Sequence, residues 1–190
     1  QGGYAIRMGS IVKDKLQESN NKKIIDYAAK FRTDFGDIYL SAKCKFFLVN
    51  TAGITLVSQI FNVPSAQTNI IPLKYPPLRK SDIFIPKKIW SLKMKRFLTF
   101  KEIINRGIAD FDYNEQYNKD DLIPMENTAE EILDLAIEMN ERLDDKFKYT
   151  KNDEILQNKF KSILNKHPHC RGFPSRIGTM FLRKNKELLK

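Results

Sequence analysis

The chain has 190 residues, 42% of them hydrophobic, enough for one well-buried domain and too few for two of ordinary size. Two cysteines, Cys44 and Cys170, exclude a disulfide framework and fit a reducing, cytoplasmic setting. The formal charge of +10 favours anionic partners without choosing among nucleic acid, anionic lipid and phosphorylated small molecules; lysine mixed with abundant asparagine and isoleucine is also what an AT-rich genome encodes.

The first residues, Gln1-Gly2-Gly3-Tyr4, lack an initiator Met and a signal-peptide layout, and the expectation is a fragment cut on its N-terminal side. Tyr4-Ala-Ile-Arg-Met8 reads as a first strand ended by Gly9-Ser10, and residues 23–27 as a second after a polar loop over 17–22. Thr33 can cap a helix starting at Asp34, with Phe35, Ile38, Tyr39 and Ala42 spaced three and four apart on one face. Residues 46–49 are apolar on both faces, as an interior parallel strand requires. A helix over 53–61 and a fourth strand over 65–69 complete a β-α-β-α-β alternation.

Prolines 72, 76, 77 and 86 interrupt every helix or central strand over 70–90, so residues 70–98 read as a Pro-rich, basic loop or crossover. Thr99 caps a helix through Ile104, an acidic loop covers 110–121, and 122–126 is a short strand. Thr128-Ala-Glu-Glu131 is a capping box opening a helix with Ile132, Leu135, Ala136, Met139 and Leu143 inward. Two more helices, 153–165 and 175–189, flank the breaker-rich 166–174. The apolar runs at 46–49 and 54–57 fall far short of the ~20 residues of a membrane span.

The chemistry concentrates at Asn50-Thr51-Ala52-Gly53-Ile54. A small-residue turn between a strand and a helix lets backbone amides approach a diphosphate, and Gly53 removes the Cβ that would block it. The rival reading is a plain βα turn. Arg7, ahead of Gly9 at the end of the first strand, could reach phosphate at the same sheet edge or pair with Asp34 or Asp37 on the surface. Those two acids, three apart on one helical turn, are also explained by the helix dipole alone.

Asp110-Phe-Asp112 has the spacing of a metal-diphosphate motif but opens a polar loop instead of following a strand. His167-Pro-His169-Cys170 offers three zinc ligands and no fourth. No Gly-x-Gly-x-x-Gly, P-loop or Gly-x-Ser-x-Gly signature is present. For nucleic acid or a membrane surface, the basic aromatic residues 87–97 with Trp90 and Phe97 are the best candidates, against a solvated loop.

Four segments together resemble a family of bacterial glycosyltransferases associated with surface-carbohydrate biosynthesis. They are Gly2-Gly-Tyr-Ala-Ile-Arg-Met-Gly9, Ile25-Asp-Tyr-Ala28, Thr33-Asp-Phe-Gly-Asp-Ile-Tyr-Leu-Ser-Ala-Lys-Cys-Lys-Phe-Phe47 and Gly172-Phe-Pro-Ser-Arg-Ile-Gly178. The likeness spans nearly the whole chain and extends, more distantly, to the C-terminal donor-binding half of GT-B enzymes. It implies a single α/β, Rossmann-like three-layer domain with a mainly parallel sheet and C-terminal helices, the last of them, from Ser175, crossing back to brace an N-terminal domain.

It further implies that Asn50, Thr51, Ala52, Gly53 and Ile54, with Arg7 and Gly9, face the diphosphate of a nucleotide sugar, with Asp34 and Asp37 supporting and no metal or other cofactor. Ala52 stands where a hydroxyl residue is usual, which leaves a side-chain phosphate contact to Thr51, and Gly36 replaces a larger residue. The implied partners are a nucleotide sugar, a separate N-terminal acceptor domain and the anionic inner face of a membrane. The alternatives are a non-catalytic basic module for nucleic acid, the weaker partner, or anionic lipid, and a sugar-nucleotide epimerase or hydrolase on the same scaffold.

Overall fold

A computed structural model describes residues 2–16 and 20–190. Of the predicted loop over 17–22, residues 17–19 lie outside the described residues, as does Gln1. The chain begins with two short strands, β1 (Ala5–Ile6) and β2 (Ile24–Ile25), paired parallel in a two-stranded sheet of their own. They are shorter than the sequence suggests, because Tyr27–Lys30 winds into a helical turn (α1) and ends the second strand. The main sheet holds β3 (Phe47–Val49), β4 (Ser65–Ile70), β5 (Ile83–Pro86) and β9 (Arg176–Ile177), in that spatial order and parallel throughout.

Helices cover both faces of this sheet. Phe84 on β5 meets Phe160 of α7 (Lys151–Leu164) with ring centroids 6.1 Å apart. Its neighbour Ile85, pointing to the opposite face, lies beside Leu135 of α6 (Ala129–Leu143) at Gly178. The result is a three-layer α/β arrangement with a mainly parallel sheet, compatible with a Rossmann-like fold. The core gathers residues from Ala66 onward, with Ile83, Phe84, Ile85, Met139, Phe160, Leu164 and Ile177 at its centre.

The βαβ unit stands where the alternation places it. Thr33 accepts from the Gly36 N–H at 3.0 Å and opens α2 (Asp34–Lys43); α3 (Ile54–Ile60) links β3 to β4. The apolar face of α2 is turned to solvent. Phe35, Ile38 and Tyr39 are 75%, 49% and 51% exposed, whereas Ser41 is buried. Hydrophobic period fixes which residues share a face, not what covers that face, and here Phe35 and Tyr39 stack on each other at 5.9 Å. β3 is likewise an edge strand among the described residues, with Leu48 exposed.

Residues 70–98 are also corrected. They hold an interior strand of the main sheet, β5, and a hairpin of β6 (Lys88–Ser91) and β7 (Arg96–Phe97), which joins β8 (Leu122–Met125) in an antiparallel sheet. Pro72, Pro76 and Pro77 occupy the crossover, and Pro86 is the last residue of β5, where a missing N–H costs the ladder least. The acidic 110–121 loop contains a further helix, α5 (Asn114–Lys119).

Local caps explain the well-read helices. Thr99, Thr128 and Thr150 each form a reciprocal capping box, opening α4 (Phe100–Asn105), α6 and α7. The expected terminal helix over 175–189 does not form as one piece. Arg176–Ile177 is β9, then come α8 (Thr179–Lys184) and a 3-10 turn, Lys186–Leu189. The strand wins because Gly178 passes too close to Ile85 and Leu135 to carry a Cβ, and Glu138 of α6 holds the start of α8 by accepting from the Thr179 N–H at 2.6 Å and Oγ1 at 2.9 Å.

Candidate functional site

The carboxyl ends of β3, β4 and β5 form one edge, where ligands of open parallel sheets sit. Val49 pairs with Gln67, so Asn50 stands level with Thr68, whose Oγ1 donates to Val49 O at 3.5 Å. Asn50, Thr51, Ala52 and Gly53 are all exposed. Gly53 already has helical angles, φ −57° and ψ −32°; the Thr55 and Leu56 N–H groups turn back onto Ala52 O and Gly53 O. The N–H groups of Ala52, Gly53 and Ile54 have no acceptor among the described residues.

The helix starts fall into two electrostatic groups. α2, α4, α6 and α7 have a threonine cap and acids in the first turn, while α3, like α1 and α8, has neither. No charged residue occurs between Lys45 and Lys74. Free N–H groups without a competing carboxylate favour an anion there. A Cβ built on Gly53 meets nothing within 4 Å, so the turn opens to solvent.

Lys87 lies at this edge, whereas Arg7 belongs to a separate sheet. Lys87 follows β5, its N–H donating to Ile70 O at 3.2 Å and its Nζ to the exposed Glu126 at 2.5 Å. Two strand spacings, about 10 Å, separate it laterally from Asn50, and because Pro86 pairs with Ile70 while Asn50 stands level with Thr68, it also lies about three residues further along the strand direction. Asn69, with φ 55°, and Asn127 lie between them as a hydrogen-bonded pair. Sequence reading placed Lys87 in a basic loop because it missed β5; an apolar Ile83-Phe-Ile-Pro86 run ending in a lysine was the available signal.

Arg7 lies on the separate β1–β2 sheet, and its guanidinium is engaged: Nη1 donates to Asp14 O at 2.7 Å and lies 3.5 Å from Asp26 Oδ1. Asp26 also accepts from the Leu16 N–H at 2.9 Å, a bond that, with Arg7, holds its carboxyl below the usual range. Arg7 therefore ties Asp14 to Asp26 beside the two strands. Gly9 serves the backbone there, at φ 146°. The structure does not join Arg7 and Gly9 to the Asn50–Ile54 turn through a shared sheet. Asp34 and Asp37 sit in the first turn of α2 and pair with Arg32, at 3.5 and 3.0 Å, rather than with Arg7.

Asp110, Asp112, His167 and Cys170 come together in space, though the sequence separates them. His167 Nε2 lies 3.1 Å from Asp110 Oδ2, and Cys170 Sγ 3.9 Å from His167 Nδ1. Lys74 fills the position between the two aspartates, 2.8 Å from Asp112 Oδ2 and 3.9 Å from Asp110 Oδ1. A lysine so placed neutralises the carboxylates that a divalent cation would need. The Asp-His-Cys string has the connectivity of an activated nucleophile, but Cys170 is fully buried and burial pushes its thiol up to about 11. It stays a thiol at neutral pH.

The basic aromatic stretch forms a second concavity. Trp90 and Phe97 oppose each other across the β6–β7 hairpin, centroids 5.1 Å apart and nearly perpendicular. With Lys95, Arg96, Thr99, Glu187, Leu188 and Lys190 they line an open cleft of about 510 Å³.

Comparison with protein-family models, curated proteins and solved structures finds no match. The function therefore rests on the chain's own geometry. No helix among the described residues is long and apolar enough to cross a membrane.

Proposed function

We propose that the chain is a donor-binding domain of a bacterial GT-B-type glycosyltransferase, acting in the cytoplasm at the inner face of a membrane in surface-carbohydrate synthesis. The observation that carries this reading is the exposed Asn50–Gly53 turn at the carboxyl end of a parallel sheet, with free N–H groups, no acidic neighbour in its helix, and Lys87 on the same edge. Transfer breaks the bond between the sugar's anomeric carbon and the diphosphate, and negative charge develops on the departing oxygen. The turn amides and the Lys87 ammonium would counter that charge more strongly in the transition state than in the ground state. Thr51 supplies the hydroxyl of the turn. The acceptor and the catalytic base come from a facing N-terminal domain in this scheme, and no metal enters it.

The test is calorimetry with UDP, GDP, ADP and CMP against the chain and two variants. Gly53→Glu places a carboxylate among the free amides where there is room for it, so a plain βα turn would tolerate it. Expected is binding of one nucleotide, weakened at least about tenfold by Gly53→Glu and by Lys87→Ala. No binding by any of the four, or no component of the binding that is sensitive to Gly53→Glu, overturns the assignment. Product analysis with the sugar nucleotide and the complementary domain separates transfer from epimerisation or hydrolysis.

A further inference from the structure

We propose that the cleft between the β6–β7 hairpin and the terminal Lys186–Leu189 turn binds a free nucleotide, with its base against Trp90 and its phosphate between Lys95 and Lys190. This site is separate from the Asn50–Gly53 turn and does not rest on the donor reading. The cleft's volume, about 510 Å³, falls within the usual range of small-ligand pockets. Its floor is apolar: Phe97 stands edge-on to the Trp90 indole, and Leu188 is buried beside them. Trp90 is only half-buried, and its indole N–H has no acceptor among the described residues.

The rim is cationic. Arg96 is matched by Glu102, to which its two terminal nitrogens donate at 2.9 and 2.6 Å. Lys95 and Lys190 have no ion-pair partner among the described residues, and Glu187 is the one acid lining the cleft. Lys95 sits at the hairpin turn with φ 51°, a left-handed backbone that fixes where its side chain leaves the turn.

Apolar walls with a half-buried indole call for a flat ring, and two lysines that outnumber Glu187 on the rim call for an anion. Inorganic phosphate would leave the walls unused, and an alkyl chain would leave the lysines unused. A nucleotide satisfies both.

Trp90 is the single tryptophan of the chain, so its fluorescence reports on this cleft directly. Titration with AMP, GMP, CMP and UMP is expected to change its emission saturably. The matching nucleoside should bind about tenfold more weakly, as should the Lys95→Glu/Lys190→Glu double variant, whose exposed positions leave the core untouched. Gly53→Glu should leave the response intact.

The assignment is overturned by no saturable change with any of the four, by nucleosides binding as well as nucleotides, or by a response indifferent to the double lysine variant. Loss of the signal in Gly53→Glu overturns it too, since the bound nucleotide would then sit at the turn. An oligonucleotide binding more than about tenfold tighter than the monophosphate also overturns it, in favour of a polymer.

Discussion

Asn69 and Asn127, 58 positions apart, hold each other by reciprocal bonds in which each main-chain N–H donates to the other's Oδ1 at 2.6 Å. Asn127 Nδ2 also donates to Pro86 O at 2.9 Å. One side chain thus ties the end of β4, the end of β5 and the start of α6 at the edge that carries the proposed site. Asn127→Ala strips two buried partners at once, the Asn69 N–H and the Pro86 carbonyl. The expected loss is about 2–3 kcal/mol, measured by urea unfolding. Asn127→Asp keeps the acceptor for Asn69 but sets a buried carboxylate oxygen against the Pro86 carbonyl, so it should cost at least as much as the alanine.

Gly178 and Gly53 should respond oppositely to alanine. A Cβ on Gly178 would lie 2.9 Å from both Ile85 Cγ2 and Leu135 Cδ1, which sit in the core, while on Gly53 it meets nothing. Gly178→Ala is expected to cost about 1–3 kcal/mol by overpacking. Gly53→Ala should change stability by under about 0.5 kcal/mol. Paired thermal melts check both.

Glu102 links hairpin and helix: it accepts from Arg96 and from the Thr99 N–H, which hold its carboxyl down at about 2. A depressed folded pKa contributes stability that is present above the unfolded value near 4.5 and is lost as pH falls from there through about 2. The pair is 44% and 30% exposed at its two side chains, so solvent screening leaves only a small contribution, under about 1 kcal/mol. Glu102→Gln should remove that part of the acid loss, giving a flatter stability profile below pH 4.5 in denaturant titrations.

The two thiols should differ in reactivity. Cys170 is fully buried and its thiol is pushed up to about 11, while Cys44 is partly exposed with a smaller upward shift from burial. At pH 8 a disulfide reagent is expected to label at most one thiol, Cys44, in the native chain and both in denaturant. Rapid native labelling of Cys170 would mean that the Asp110-His167-Cys170 string is activated after all.

Local patterns determined much of this molecule directly from sequence. The Thr-x-x-Glu box and the apolar spacing placed α6, and Thr33 and the small turn placed the βαβ unit around Asn50, because caps and turns depend on residues within a few positions of each other. Tertiary structure decided the rest, where local signals are ambiguous or silent. A four-residue apolar run ending in Pro86 could not be told from a loop until Ala66 and Arg176 paired with Ile83 on either side, and that pairing carried Lys87 to the site edge. The face of α2 was legible, but its exposure was not, since periodicity carries no information about what lies opposite. Arg7 likewise left the sheet edge because Asp26, nineteen positions away, offers a largely buried carboxylate, and ion pairing between distant residues is written only in the folded chain.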